Sequence, residues 1–183
     1  MDIEFYQKNG YLILPDLLSQ KEIQEVQGFL EEKELDSLRS IKKEIPCVED
    51  RETLLSLLKK LSQNESLMSQ YSEHSCMTLR GHYDLKTRLS PKLWTVARSQ
   101  KVQEVLYHFF PQENLRMHMP PTARFVLPNN LLAGVPTHQD ISYNKHVSHF
   151  MVLWFPFTPI NEECGGVTVY EGSGDSKEIL NNV

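Results

Sequence analysis

The chain has 183 residues, of which 40% are hydrophobic, and its formal net charge is −5. This length and hydrophobic content predict a single domain with one sizeable core. The acidic balance provides no basic surface of the kind that nucleic acid requires, so we expect no nucleic-acid partner.

The first signals along the chain are a short apolar run and a long helix. Residues 10–14 are mostly apolar and stop at Pro15, so they predict a short first strand. Ser19-Gln20-Lys21-Glu22 has the Ser-x-x-Glu form of a capping box, and the apolar spacing after it predicts a helix over residues 19–34. Residues 33–44 are rich in charge and predict a solvated extension or loop.

Three further helices are predicted in this half of the chain. Asp50 is placed to cap a helix that has a broad face of leucines. Ser90 and Pro91 have the N-cap and first-position proline of a second helix, and Ser99 is placed to cap a third. Apolar residues at helical spacing indicate packing surfaces, so residues 1–111 are predicted to be mainly helical.

After residue 111 the pattern changes from helix to strand. Short apolar runs are separated by Pro, Gly and Asn, which is typical of a β-sandwich or barrel. The runs are residues 115–119, 123–127, 148–157 and 167–170. Helices in residues 1–111 and β-rich structure in residues 112–183 predict an α+β protein, in which the helices pack on the sheets within one domain.

A candidate metal site precedes one of these predicted strands. His138 and Asp140 are two residues apart, and side chains on an extended backbone alternate between its two sides. Both side chains are therefore expected to reach one metal ion. Imidazole and carboxylate are two of the three ligands in the facial triad that binds Fe(II) and leaves positions open for other ligands. The alternative is an ordinary hydrogen-bonded pair in a loop.

The same spacing occurs a second time, in His82-Tyr83-Asp84. This copy lies in polar, turn-like sequence, and no strand pattern stands beside it. We interpret it as a chance match, with His82 at the surface or behind another side chain. Context, and not the spacing itself, distinguishes the copy at His138.

Several stretches occur together in the order that one known family shows. They are His138-Gln139-Asp140-Ile141 followed by Tyr143, the apolar run with Trp154, and the sequence NEECGGVTVYEGS of residues 161–173. The opening YQKNGYLILPDLL of residues 6–18 is similar to the start of that family. The chain resembles the phytanoyl-CoA dioxygenase family of iron(II)- and 2-oxoglutarate-dependent oxygenases.

The resemblance implies both a fold and a chemistry. The fold is a double-stranded β-helix, the jelly-roll, cupin-like core of these oxygenases, with its C-terminal strands missing from this sequence. Fe(II) is held by His138 and Asp140, 2-oxoglutarate is the cosubstrate, and a small molecule is hydroxylated.

Four other residues are candidates for contacts in the site. The family often has a Trp near the cosubstrate at the position of Trp154, and Arg124 lies on the predicted strand before the site. Both are candidates for binding 2-oxoglutarate, with core packing of Trp154 and a surface salt bridge of Arg124 as alternatives. Tyr143 and Asn144 follow the metal motif and are candidates for lining the substrate pocket.

The sequence departs from the family pattern near its end. The family takes a distal His ligand and an Arg for 2-oxoglutarate from later strands, whereas Gly172-Ser173-Gly174 has no such residues after it. His146 and His149 are too near Asp140 in sequence and are expected to face solvent. An inactive, truncated relative that acts as a metal-binding or interaction module therefore stays open as an alternative. An uncovered sheet edge predicts a homo-oligomer or strand exchange.

Cysteine use and the N-terminus predict a cytoplasmic protein. The three cysteines are widely spaced and form no Cys-x-x-Cys, which favours reduced thiols. Met1-Asp2-Ile3-Glu4 lacks the basic region of a signal peptide. No apolar stretch approaches the roughly 18 residues that a membrane span needs, so no membrane partner is expected.

Overall fold

The computed structural model describes residues 1–111, 114–117, 120–147, 149–161 and 164–173. It divides into two compact units. The terminal unit consists of Met1–Pro15 and Val135–Val183, and the helical unit consists of Asp16–Gly134. The single domain expected from composition stays a prediction.

Helices provide the regular structure of both units. The described residues contain seven α-helices: α1 (Ile3–Asn9), α2 (Gln20–Glu44), α3 (Arg51–Gln63), α4 (Glu73–Leu79), α5 (Leu85–Arg88), α6 (Pro91–Arg98) and α7 (Gln100–Phe109). Three short 3-10 helices accompany them: Glu65–Gln70, Leu131–Ala133 and Asp140–Ser142. None of the helices in the described ranges has the length and apolar character needed to cross a membrane.

The predicted helix starts are confirmed at the residues that cap them. Ser19 and Glu22 form both hydrogen bonds of a capping box at the start of α2. The Asp50 side chain accepts from the backbone N–H of Thr53 at the start of α3. Ser90 caps α6 through the N–H of Lys92. Ser99 stands at the N-cap position of α7 as predicted, but its side chain forms no capping hydrogen bond with that helix. These interactions are local, which is why the sequence predicts them well.

The loop or extension predicted for residues 33–44 is wrong, because α2 continues through them to Glu44. Leu38 and Ile41 continue its apolar stripe, and Ile41 is 1% exposed. Tertiary packing of that stripe stabilises the helix, although the charged residues around it face solvent.

The core of the helical unit lies among α2, α3, α4 and the 3-10 helices beside them. Its buried members are nine apolar side chains: Ile41, Ile45, Val48, Leu54, Leu58, Leu61, Met68, Leu79 and Leu132. In the terminal unit, by contrast, no described residue is fully buried. The terminal unit is joined instead by polar contacts, in which Tyr11 Oη donates to Glu171 at 2.7 Å and the N–H of Gly172 donates to Asn9 O at 3.3 Å.

The first predicted strand is absent from the structure. Residues 11–14 are irregular, and the preceding residues form α1. The Asp2 side chain caps α1 through the N–H of Phe5, and Gly10 ends it in the left-handed conformation at φ 83°. An Asp at the N-cap and a Gly at the end were the sequence signals for this helix.

The later predicted strands do not form a sheet among the described residues either. Residues 118, 119 and 148 lie outside the described ranges, and the one β-bridge found elsewhere joins His82 to Arg124 in antiparallel fashion. No backbone hydrogen bond joins residues 149–160 to another described segment. A strand requires a partner strand as well as apolar alternation, and alternation alone does not specify that partner.

Candidate metal site

His138 and Asp140 lie on a tight turn in the terminal unit. Asp140 begins the 3-10 helix Asp140–Ser142, and the N–H of Ser142 donates to Gln139 O at 2.9 Å. The Ser142 hydroxyl donates to the same carbonyl at 2.6 Å. The N–H of Tyr143 donates to Asp140 O at 3.1 Å. Hydrogen bonds among Gln139, Asp140, Ser142 and Tyr143 thus fix the backbone that carries Asp140, two residues after His138.

A backbone carbonyl orients the His138 ring. Its Nδ1 lies 2.8 Å from Pro136 O. Because a carbonyl oxygen only accepts, Nδ1 carries the hydrogen in this contact, and in the neutral ring Nε2 keeps its lone pair. Histidines that bind metals usually donate their other ring N–H in this way.

The free nitrogen of that ring faces the neighbouring carboxylate. His138 Nε2 lies 3.4 Å from Asp140 Oδ1, and the two side chains are 28% and 46% exposed. Two ligand atoms about 2.1 Å from one metal, at roughly a right angle, lie about 3 Å apart. The observed separation fits two neighbouring ligands of one ion, and a nitrogen and oxygen pair suits Fe(II).

Tyr143 and Asn144 stand beside this pair. The Tyr143 ring meets the His138 ring edge to face, with centroids 5.3 Å apart, and Tyr143 is 56% exposed. Asn144 Nδ2 donates to Asp140 O at 3.1 Å. Its Oδ1 is buried and accepts no hydrogen bond from the part of the chain that is described. Both residues follow the ligands closely, as the sequence predicts, although their contact with a substrate stays a prediction.

Trp154 lies on an extended segment of the terminal unit and is 54% exposed. Exposure alternates along residues 151–157, where the odd-numbered residues are half-buried and the even-numbered ones are exposed. Trp154 therefore does not take the core position that was the alternative for it. The aromatic face is open to a ligand, and its contact with 2-oxoglutarate stays a prediction.

Arg124 lies in the helical unit and is half-buried. One terminal nitrogen donates to Ala133 O at 2.7 Å and to Arg80 O at 3.2 Å. Burial lowers the pKa of this guanidinium. No described carboxylate forms an ion pair with it, so the surface salt bridge considered for it is not observed there. Its role in binding 2-oxoglutarate stays a prediction.

A third ligand is not found among the described residues, in which no group of three or more His, Cys, Asp or Glu side chains could hold a metal ion. His146 and His149 are exposed, as expected from the sequence. Residues 174–183 lie outside the described ranges. The copy of the motif at His82 and Asp84 is also accounted for, because the Asp84 carboxylate accepts from Thr87 N–H at 2.7 Å and caps α5.

Sequence reasoning missed the carbonyl of Pro136 as the group that orients His138. Every residue type has a carbonyl, so no residue pattern could have indicated it.

A family model described as phytanoyl-CoA dioxygenase (PhyH) matches residues 6–182. The chain belongs to the phytanoyl-CoA dioxygenase family. Members of the phytanoyl-CoA dioxygenase family are generally Fe(II)- and 2-oxoglutarate-dependent oxygenases with a cupin-like fold, so the chain is related to dioxygenases. A search of curated proteins and a search of solved structures each found no match.

Proposed function

We propose that the chain is a non-haem Fe(II)/2-oxoglutarate-dependent dioxygenase that hydroxylates a small molecule. The observation that carries the proposal is the pair of contacts at His138. Its Nδ1 is engaged by Pro136 O at 2.8 Å, and its Nε2 lies 3.4 Å from Asp140 Oδ1. Family membership supplies the reaction class, and this geometry supports the same residues that the sequence selects.

His138 and Asp140 would hold the metal. When bound, Fe(II) would allow dioxygen to act as the oxidant and the source of the oxygen atom inserted into a C–H bond, with 2-oxoglutarate as the two-electron reductant that is converted to succinate and CO2. The protein itself fixes the ligands, because the Pro136 carbonyl sets the imidazole tautomer before any metal arrives. The Asp140 carboxylate provides negative charge for the cation, and Asn144 holds the turn beneath that carboxylate.

The remaining contacts in the proposal are supported by position and exposure. Tyr143 presents an exposed ring next to His138, and Asn144 has a buried oxygen that accepts no bond from a described residue. These two residues would face the substrate. Trp154 and Arg124 would contact 2-oxoglutarate, an aromatic face and a guanidinium being suitable partners for its carbon chain and carboxylate.

The proposed fold and assembly follow from the family. Alternating exposure over residues 151–157 is the pattern of a strand with two different faces, as a double-stranded β-helix requires. No charged residue lies in residues 149–160, and charges are one means by which proteins prevent strand edges from pairing. We propose that a second copy of the chain pairs with this edge, and that the protein works in the cytoplasm.

The test of the proposed function is an anaerobic titration of the metal-free chain with Fe(II) in the presence of 2-oxoglutarate. The readout is the weak visible charge-transfer band of the chelated cosubstrate. We expect the band in the wild type, and we expect its loss in His138→Ala and in Asp140→Ala. The matched controls are His82→Ala and Asp84→Ala, which change the other copy of the same motif and should retain the band.

Each outcome decides between the candidate functions. A band lost in both variants of the 138–140 pair and kept in both controls supports the oxygenase, and succinate formation in air would extend this to turnover. Absence of a band in a wild-type chain whose circular dichroism is that of a folded protein would contradict the oxygenase proposal. In that case the interaction module is the better description of the chain.

A further inference from the structure

Two segments of the helical unit are held against each other by a close backbone contact. The N–H of Phe125 donates to Gly81 O at 2.9 Å, and His82 and Arg124 form an antiparallel bridge. Gly81 has a φ of 77°, and a Cβ at this position would lie 2.1 Å from Phe125 O. Only glycine permits this approach. The contact therefore places the side chains on either side of it in a fixed arrangement.

His82 and Arg124 face each other across this bridge, and the charges of Arg80 and Arg88 also act on the His82 imidazole. We call the four residues the cationic cluster: Arg80, His82, Arg88 and Arg124. All four are half-buried. Burial lowers the pKa of the His82 imidazole, and the charges of the three arginines lower it further.

The hydrogen bonds of the cluster do not neutralise its charge. Arg88 donates from Nε to Pro121 O at 2.8 Å and from a terminal nitrogen to Pro120 O at 3.2 Å, and Arg124 likewise donates to backbone carbonyls. Carbonyl oxygens accept hydrogen bonds but carry no net charge. No carboxylate in the described ranges forms an ion pair with any of the four side chains.

Several positive charges held close together destabilise the folded chain unless a counter-ion is bound. Like charges in partly buried surroundings repel more strongly than in water, since the effective dielectric constant is lower. The Arg124 Nε is buried and has no acceptor among the described residues. A cation cluster that is held together by backbone contacts and lacks acidic partners has the features of an anion site.

We propose that the cationic cluster binds an oxyanion, a phosphate or carboxylate group of a small-molecule ligand. The planar guanidinium groups supply paired N–H donors that match such a group, and half-burial leaves part of each side chain accessible. The site is made entirely from the helical unit. One member, Arg124, is also the residue proposed to contact 2-oxoglutarate, so the test is made on the metal-free chain, where its outcome is separate from that of the Fe(II) titration.

The test uses the metal-free full chain with sodium phosphate or sodium succinate as the probe, against sodium chloride at equal ionic strength. The readout is the imidazole resonance of His82 in NMR titrations. A bound oxyanion offsets the charges of the arginines, so we expect phosphate or succinate to raise the pKa of His82, whereas chloride should not. A larger response to phosphate assigns a phosphate group, and a larger response to succinate assigns a carboxylate.

The variants are Arg80→Gln and Arg98→Gln. Arg80 is chosen because Arg88 and Arg124 hold the backbone through their side chains and their loss endangers the fold. Arg80→Gln should weaken binding by about tenfold or more, which is the loss expected for one charge-assisted contact. The exposed Arg98 lies outside the cluster, and Arg98→Gln should bind as the wild type does.

Two results would overturn the proposal. One is a wild-type chain in which neither probe moves the His82 resonance more than chloride does. The other is an Arg80→Gln variant that binds phosphate and succinate as tightly as the wild type. General stabilisation by phosphate as an excluded salt would act equally on both variants, so it cannot produce the expected difference between them.

Discussion

The pattern His-x-Asp occurs twice in this chain, and the two copies have different surroundings. At the first copy, His82 pairs with Arg124 across a β-bridge, and the Asp84 carboxylate caps α5. At the second, a carbonyl orients His138, and its free Nε2 lies 3.4 Å from Asp140 Oδ1. In the first copy the charges of three arginines act on the imidazole and the carboxylate is already engaged, whereas in the second the imidazole nitrogen and the carboxylate oxygen face each other.

The comparison shows that the charges and hydrogen bonds around a motif determine its chemistry. The positive charges of three guanidinium groups that act on one imidazole repel a metal cation, and they attract an anion. A free nitrogen beside a free carboxylate oxygen attracts a metal cation. Identical residue types at identical spacing are thus suited to ligands of opposite charge.

The largest effect is expected from Gly81→Ala, which breaks the backbone contact that holds the first copy. The added Cβ would meet Phe125 O at 2.1 Å, and the left-handed φ of 77° would be strained. We expect a loss of about 3–5 kcal/mol in the free energy of unfolding, measured by urea denaturation.

Gly10→Ala is the matched control for this change. Gly10 has a φ of 83°, but a Cβ there would have no neighbour within 4 Å. Only the left-handed backbone cost of about 1–2 kcal/mol should therefore appear. Equal losses in the two variants would show that the approach of Gly81 to Phe125 is not what makes the first copy rigid.

The second prediction is a crossed effect of removing the two aspartates. Asp84→Ala should cost about 1 kcal/mol of stability through loss of a helix cap, and should leave Fe(II) binding unchanged. Asp140→Ala should abolish Fe(II) binding while changing stability by no more than about 0.5 kcal/mol, because its side chain is 46% exposed. Urea denaturation and the metal titration measure the two quantities.

Asp84→Asn sharpens the same comparison, because asparagine also caps helices and should restore the stability that alanine removes. A loss of Fe(II) binding in Asp84→Ala, at unchanged fold, would contradict the assignment of separate roles to the two copies.

The smallest predicted effect is a pH dependence of the free energy of unfolding that arises from the titration of His82. Burial, followed by the charges of the arginines, lowers the pKa of His82 in the folded chain, so the unfolded chain binds more protons. The contribution of His82 to the free energy of unfolding is complete above about pH 6.5, the pKa of its imidazole in the unfolded chain. It is lost as the pH falls through the lower pKa of His82 in the folded chain.

Relative to His82→Gln, the wild type should therefore lose stability on going from about pH 7.5 to about pH 5. The difference should be less than about 1 kcal/mol, since His82 is half-exposed and solvent screens its neighbours. Denaturation curves at both pH values give the comparison. Parallel behaviour of wild type and variant would show that the arginines do not act on this imidazole.

The local signals in the sequence were sufficient for four of the seven described α-helices, α2, α3, α6 and α7, and they missed α1, α4 and α5. Ser19 with Glu22, Asp50, and Ser90 with Pro91 each begin the helix that was predicted from them. The prediction for residues 33–44 was wrong because Ile41 is buried against residues far along the chain, and this packing stabilises the continuation of α2 to Glu44. Residues 10–14 were mistaken for a strand because Gly10 ends a helix that the apolar run conceals.

The candidate site was predicted in part for a similar reason. His138, Asp140, Tyr143 and Asn144 are near neighbours in sequence, so one turn brings them together. Trp154 and Arg124 depend on how distant segments are arranged, and their roles remain predictions. The cationic cluster was not anticipated, because its members come from positions 80–88 and from position 124.

The sequence by itself determined the family, the helix starts and the residues of the candidate metal pair, since each depends on interactions within a few residues or on the order of motifs. Only the tertiary structure decided that Arg124 lies opposite His82 and that the charges of three arginines act on that imidazole. Backbone carbonyls and long-range contacts have no signature in the residue pattern. Their positions are fixed by packing, and packing exists only in the folded chain.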